Sequence, residues 1–239
     1  MSQSLNSVFF KKSVFVKIYG PKKPLFKYYS RCFLDSIGLT QPIEYQNENK
    51  RLKFECRTLE LWKAHHLNVP SVLKVKHLEV HLSIIKGRTL YDIFTESVNL
   101  DIVAQVFNDM NNRHQLAFKL NEPRLCHIDA NLRNIIYSGN KIFHIDFEMG
   151  RESEPVDMWA QREISKLLIS ISQVTDSMQN ILSLFFDIYT HTKIIEKIID
   201  NKLRNNSQIL IEKKLNKNGY TLINLTVDMN NYLINRRNG

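Results

Sequence analysis

Residues 125–150 read LCHIDANLRNIIYSGNKIFHIDFEMG, and the order of acids and amides in this stretch sets the fold expected for the whole chain. Asp129 follows His127 by two positions, Asn134 follows Asp129 by five, and Asp146 opens an Asp-Phe-Glu triplet. Between them, Ile135 and Ile136, then Ile142, Phe143 and Ile145, fit two short strands, with Gly139-Asn140 as the turn. A polar loop, a hairpin and an acid-led loop therefore follow one another.

Working outward, a lysine on a strand lies upstream. Residues 7–19 carry two β-runs, SVFF and SVFVKIY, joined at Lys11-Lys12, and Lys17 sits inside the second among apolar neighbours. A lysine there commonly guards an edge strand and points to solvent; the acids downstream give it a different expected task. Residues 25–39 fit a short helix or a strand with a loop equally. From Lys50, Leu52, Phe54, Leu59, Leu61 and Trp62 predict a helix of about three turns that ends before Asn68 and Pro70 and carries Glu55. Most helical glutamates face solvent.

Residues 72–75 and 80–85 read as strands, and Lys86-Gly87 breaks the second. Strand-rich sequence precedes this point and helix-rich sequence follows it, so the expected division is 1–86 and 87–239. The spacing then predicts helices over 101–120, with Asn99 as N-cap, and over 156–172, 178–189 and 192–203. Residues 207–235 suit a hairpin about Asn218-Gly219 or two helices. There is no internal repeat.

The chain has 239 residues, enough for one large domain or two modest lobes, and 43% are hydrophobic. No apolar run approaches bilayer-spanning length, and the first residues lack the pattern of a secretion signal. Cys32, Cys56 and Cys126 are odd in number and too widely spaced for a paired-cysteine metal site, which predicts reduced thiols in a cytoplasmic setting. The net charge of +9 is uneven: residues 1–34 hold seven Lys or Arg and no acid, and residues 190–239 hold nine against four. Basic surfaces attract nucleic acid, phosphorylated sugars or anionic membrane alike, so the sign alone selects none of them.

The side chains at these positions suit phosphoryl transfer, which asks for charge neutralisation, in-line positioning and a base for the acceptor hydroxyl. Asp129 is the expected base. Asn134 and Asp146 would hold Mg2+, Asp146 bridging metal and phosphates; Lys17 would contact the α- and β-phosphates of ATP, and Glu55 would hold Lys17 by an ion pair. His127 is expected to brace the loop by hydrogen bonds to its backbone, Asp157 to anchor that backbone, and His144 to be structural. His65, His66, His77 and His81 lack carboxylates or thiols at metal spacing and are expected at the surface.

On three stretches the chain resembles the protein-kinase-like superfamily, and within it the bacterial lipopolysaccharide core kinases that act on Kdo or heptose. These are FECRTLELWKAHHLNVP, HIDANLRNII and IDFEMGR. The last is similar to that group's I-D-F-D-x-G-R, an acid standing where most protein kinases have glycine. The resemblance implies a two-lobed α+β fold with a small β-rich N-lobe and a helical C-lobe. It implies ATP and Mg2+ as cofactors, an anionic inner-core sugar as acceptor, and a cytoplasmic, peripheral place at the inner face of the inner membrane. Nucleic acid is not among the implied partners. Ile84, Ile85 and Lys86 would form the hinge that binds adenine through backbone groups.

The chain departs from the pattern twice. Sixteen residues precede Lys17 and none is glycine, so residues 2–7 would have to cover the phosphates without a G-x-G-x-x-G loop. Asn131 stands where protein-serine kinases carry lysine, which favours a sugar over a protein acceptor. A small atypical protein kinase and a pseudokinase acting as a binding module are the alternative readings.

Overall fold

The computed structural model describes residues 6–11, 14–20, 47–150, 153–175, 177–203 and 222–238. The expected join at Lys12, the element over 25–39, the turn at Asn218-Gly219, Cys32, Arg151 and most of the stretch assigned to phosphate cover fall outside these residues.

Strands β1 (Asn6–Lys11) and β2 (Val14–Tyr19) pair antiparallel, β2 pairs with β4 (Glu79–Ser83), and β4 pairs with β3 (Val72–Lys76). The sheet order β1-β2-β4-β3 makes β2 an interior strand. Lys17 therefore lies opposite Val8 on one side and Val80 on the other. A position between two strands cannot shed its side chain past an edge, and Lys17 is buried instead of standing guard in solvent.

Helix α1 (Glu48–Ala64) runs 17 residues, longer than the three turns expected. Its start is extended back to Asn47, whose side chain accepts a hydrogen bond from the Lys50 amide at 2.9 Å. Arg51, Leu52, Glu55, Cys56, Thr58, Leu59 and Trp62 are buried along it. Trp62 closes the far end: its indole N–H donates to the Arg124 carbonyl at 2.6 Å, and its ring meets those of His127, His144 and Phe147 edge-on. One helix thus carries Glu55 toward the sheet and Trp62 into the stretch 125–150.

A short β5 (Arg88–Thr89), helix α2 (Leu90–Phe94) and the long α3 (Leu100–Leu120) follow. Asn99 caps α3 as expected, accepting from the amides of Asp101 and Ile102. Then β6 (Ile135–Ser138) and β7 (Lys141–His144) form a hairpin that β5 extends to three strands. Gly139 and Asn140 have φ of 53° and 60°, the left-handed pair that a two-residue turn requires.

Helices α4 (Val156–Ser172), α5 (Met178–Ile188), α6 (Thr192–Leu203) and α7 (Leu222–Asn238) complete the described chain. The first three match the spacing of their apolar residues; α7 resolves the ambiguous tail as helix over that range. Trp159, Leu167, Ile171, Ile181, Phe185, Ile195 and Leu225 belong to one continuous core with Phe107 and Met110 of α3. The result is an α+β chain with a small antiparallel sheet and one helix toward its N-terminus and a helical part toward its C-terminus. Among the described residues, no helix is long and apolar enough to cross a membrane.

Candidate active site

Lys17 stands at the centre of the site. Its Nζ lies 2.7 Å from Glu55 Oε2, 2.6 Å from Asp146 Oδ1 and 3.5 Å from Glu148 Oε2, and its side chain is only 6% exposed. Burial by itself would drive the ammonium to release its proton. Glu55, Asp146 and Glu148 more than offset this and hold the lysine above its ordinary value, so it stays charged. Glu55, 1% exposed, is pushed up by burial, while Lys17 and the hydroxyl of Tyr19 oppose that shift. We read the pair as an ion pair, because an ammonium with three carboxylate neighbours has no reason to lose its charge.

Tyr19 and Lys17 share a face of β2, two residues apart, and the ammonium also sits 5.2 Å from the Tyr19 ring centre. Asp146 reaches Lys17 from a left-handed backbone, φ 65°, a conformation that aspartate tolerates better than most residues. Glu148 is gripped from two sides, by the Asn6 amide and by Arg51 Nη1 at 3.3 Å, and Arg51 also donates to the Gly20 carbonyl. Strand β1 and helix α1 are thus tied to the Asp-Phe-Glu loop through Glu148, to which the sequence reading gave no structural contact.

Asp129 and Asn134 are brought together as well. Asn134 Nδ2 donates to the Asp129 carbonyl and to Asp129 Oδ2, each at 3.0 Å. The five-residue spacing folds back on itself through a 3-10 turn, Leu132–Asn134, started by Asn131, whose side chain accepts from the Arg133 amide at 3.0 Å. Asn131 is thus spent on shaping the loop. Ile84, Ile85 and Lys86 lie in the link between β4 and β5, where the hydroxyl of Ser138 donates to the Lys86 carbonyl.

Two expected braces are placed differently. The His127 ring makes no hydrogen bond to the loop backbone: both ring nitrogens are buried without a partner among the described residues, packed against Trp62, His144 and Phe147. Burial, with the neighbouring His144, lowers it to about 3, so it is neutral. Asp157 pairs with Lys197 and with the Met158 amide, not with the loop over 127–134. His144 is structural as expected, meeting Asp109 Oδ2 at 2.9 Å. Of the remaining histidines, His66 and His77 are exposed, and His81 pairs with Glu79 at the sheet surface.

The anchor is Glu163 on α4. Its Oε2 accepts from the His127 amide at 2.6 Å and lies 2.9 Å from His114 Nε2, while its Oε1 accepts from Arg113 Nη2 at 2.6 Å. Arg113 Nη1 adds a bond to the Leu125 carbonyl at 3.2 Å. Burial would raise the Glu163 carboxyl, but Arg113 and His114 hold it well below the carboxylate range. The signal was in the sequence: Glu163 and Ser170 occupy the apolar register of α4 set by Val156, Ala160, Ile164, Leu167 and Ile171. An acid placed there must be paired.

No protein-family model matches this chain, and no curated protein matches it in sequence. Among solved structures, a mutant form of the kinase domain of Mycobacterium tuberculosis PknI is similar at a TM-score of 0.40 and 12% identity. The match covers 67% of this chain and 62% of that domain, less than two thirds of its length. What the structure itself shows is an α+β chain whose small antiparallel sheet bears a lysine paired to a helical glutamate, and whose C-terminal part, mostly helical, carries the H-x-D-x4-N and Asp-Phe loops.

Proposed function

We propose that the chain is an ATP-dependent phosphotransferase, with residues 1–86 and 87–239 as its two lobes, and that its acceptor is a sugar hydroxyl of a lipopolysaccharide inner core. The observation that carries the first half is the contact of Lys17 with both Glu55 and Asp146. A buried ammonium aimed at an acid-led loop is what anionic phosphates need at one end, and pairing to Glu55 fixes its direction.

The residues present fit Mg2+. Asn134 uses its amide N–H groups on Asp129, which leaves its carbonyl oxygen available. Asp146, 39% exposed at its side chain, gives Oδ1 to Lys17, and its carboxylate has a second oxygen to offer a cation. Oxygen donors from an amide and a carboxylate are the set this cation takes when phosphates and water complete it. Bound there, Mg2+ would neutralise charge on the β- and γ-phosphates.

The chain's own groups do the rest. Lys17 binds phosphate oxygens, Asn134 aims the Asp129 carboxylate, and Asp129 takes the proton of the acceptor hydroxyl as its oxygen attacks the γ-phosphorus and ADP departs. Backbone groups of Ile84, Ile85 and Lys86 hold the adenine. The sugar acceptor is supported by the IDFEMGR stretch and by Asn131, which is committed to the loop. The basic ends favour anionic partners, including an anionic membrane face.

The test is transfer from γ-labelled ATP to purified core oligosaccharide, beside generic protein acceptors. Asp129→Ala and Asp146→Ala should each lower transfer by at least about a hundredfold. Label entering protein alone overturns the sugar acceptor, and full activity in both variants overturns the phosphotransferase.

A further inference from the structure

Helix α4 touches the catalytic loop at three successive points along one face. Glu163 accepts from the His127 amide, Lys166 Nζ lies 3.1 Å from Asp129 Oδ1, and Ser170 Oγ accepts from the Leu132 amide at 3.0 Å. Steps of three and four residues keep these side chains in one row. Glu163 is fully buried and Ser170 nearly so, as structural braces should be. Lys166 differs, because its side chain is 51% exposed while the Asp129 it meets is 24% exposed.

An exposed ion pair of this kind adds little to stability. Its position is the informative part. Asn134 holds Asp129 Oδ2 from one side, so Oδ1 is the oxygen left to take a proton from an acceptor, and the ammonium of Lys166 now rests on that oxygen. No other cation among the described residues pairs with Asp129. On a flexible four-carbon stem, the ammonium can leave Oδ1 without disturbing the backbone.

Resting on the phosphotransferase reading, we propose that Lys166 is the cation of the acceptor side: it holds Asp129 before substrate arrives, then passes to the oxygens of the phosphoryl group in flight. The acceptor oxygen forms its bond to the γ-phosphorus, the bond from that phosphorus to the β-bridging oxygen breaks, and the acceptor proton goes to Asp129 Oδ1. Lys166 gives up no proton in this step. It replaces one anionic partner by another, so that charge gathering on the equatorial oxygens is met from the acceptor side as Lys17 meets it from the nucleotide side.

The full chain and its Lys166→Ala and Lys166→Arg variants should be titrated with MgADP alone and with MgADP plus aluminium fluoride, a planar stand-in for the transferring group. Thermal unfolding confirms that each variant is folded. Wild type should bind the fluoride complex more tightly than MgADP. Lys166→Ala should lose between about tenfold and about a hundredfold of that gain, the size of a charge-assisted hydrogen bond, with MgADP affinity unchanged. Lys166→Arg should restore most of it. In transfer from γ-labelled ATP, the alanine variant should lower kcat and leave the KM for ATP in place. Retention of the full gain by Lys166→Ala, with normal wild-type binding, overturns the role of Lys166 alone. A wild type that binds neither MgADP nor its fluoride complex overturns the phosphotransferase reading together with it.

Discussion

Glu55 Oε2 accepts a hydrogen bond from Lys17 Nζ at 2.7 Å, and both side chains are almost entirely withdrawn from water. Withdrawing two charges is costly, and only close pairing recovers it. The sheet and α1 are therefore held together by a contact that tolerates the loss of neither partner.

Glu55→Ala should cost about 3–5 kcal/mol, the range for breaking a buried pair, and toward its lower end because Asp146 and Glu148 remain beside Lys17. Urea denaturation of the variant against wild type measures it. A loss under about 1 kcal/mol, typical of exposed pairs, would show that the contact is not a buried ion pair in solution.

Glu163→Ala removes the shared acceptor of the His127 amide, Arg113 and His114. Destabilisation toward the lower end of about 3–5 kcal/mol is expected, since Arg113 and His114 lose a buried acid while Asp109, 2.8 Å from Arg113 Nε, stays beside the guanidinium. Amide exchange at His127 should accelerate well beyond that at Ile135 in the neighbouring hairpin. Equal acceleration at both would mean that Glu163 supports the whole helical part and not the loop in particular.

Two glycines separate crowding from backbone strain. A methyl at Gly150 would stand 2.4 Å from both Phe54 Cζ and Trp159 Cη2, rings that join α1 to α4. Gly139, at φ 53°, has open space around it. Gly150→Ala should cost about 1–3 kcal/mol through overpacking, and Gly139→Ala about 1 kcal/mol through its left-handed backbone alone. Thermal unfolding should show Gly150→Ala as the less stable of the two.

Acid should weaken the fold in two stages. His127 falls from 6.5 to about 3 on burial, so between these values the unfolded chain binds a proton that the folded chain refuses. Its contribution is complete above pH 6.5 and is lost as the pH falls toward 3, by an amount on the order of a few kcal/mol. Glu163, held below its ordinary 4.5 by Arg113 and His114 against burial, adds a second loss below that pH. In urea midpoints measured from pH 7 to pH 3.5, His127→Gln should flatten the upper stage and keep the lower one. An unchanged upper slope would show that His127 is not the group responsible.

The sequence by itself determined many of the elements. Period-two alternation at 14–19, helical spacing at 100–120, 156–172 and 192–203, and the left-handed pair Gly139-Asn140 are local features. The backbone conformation of each depends mainly on nearby residues. Asn134 meets Asp129 for the same local reason, since five residues of loop can close on themselves. The pairing of Lys17 with Glu55 was expected only from the joint pattern, and the direct contact of Lys17 with Asp146 was not expected, because nothing local to any of the three requires the others.

Tertiary structure decided which polar groups are braces. Asp157 and Glu163 are both acids of α4, but Asp157 turns to Lys197, while Glu163 enters the core and meets the loop. The His127 ring went to an aromatic cluster instead of the loop backbone because Trp62 arrives there from α1, more than sixty residues upstream. Lys166 came within reach of Asp129 by the same docking of α4. Burial and charge compensation are properties of packed surfaces from distant segments. A window of sequence can show that an acid lies in an apolar register, and only the assembled fold supplies the cation that neutralises it.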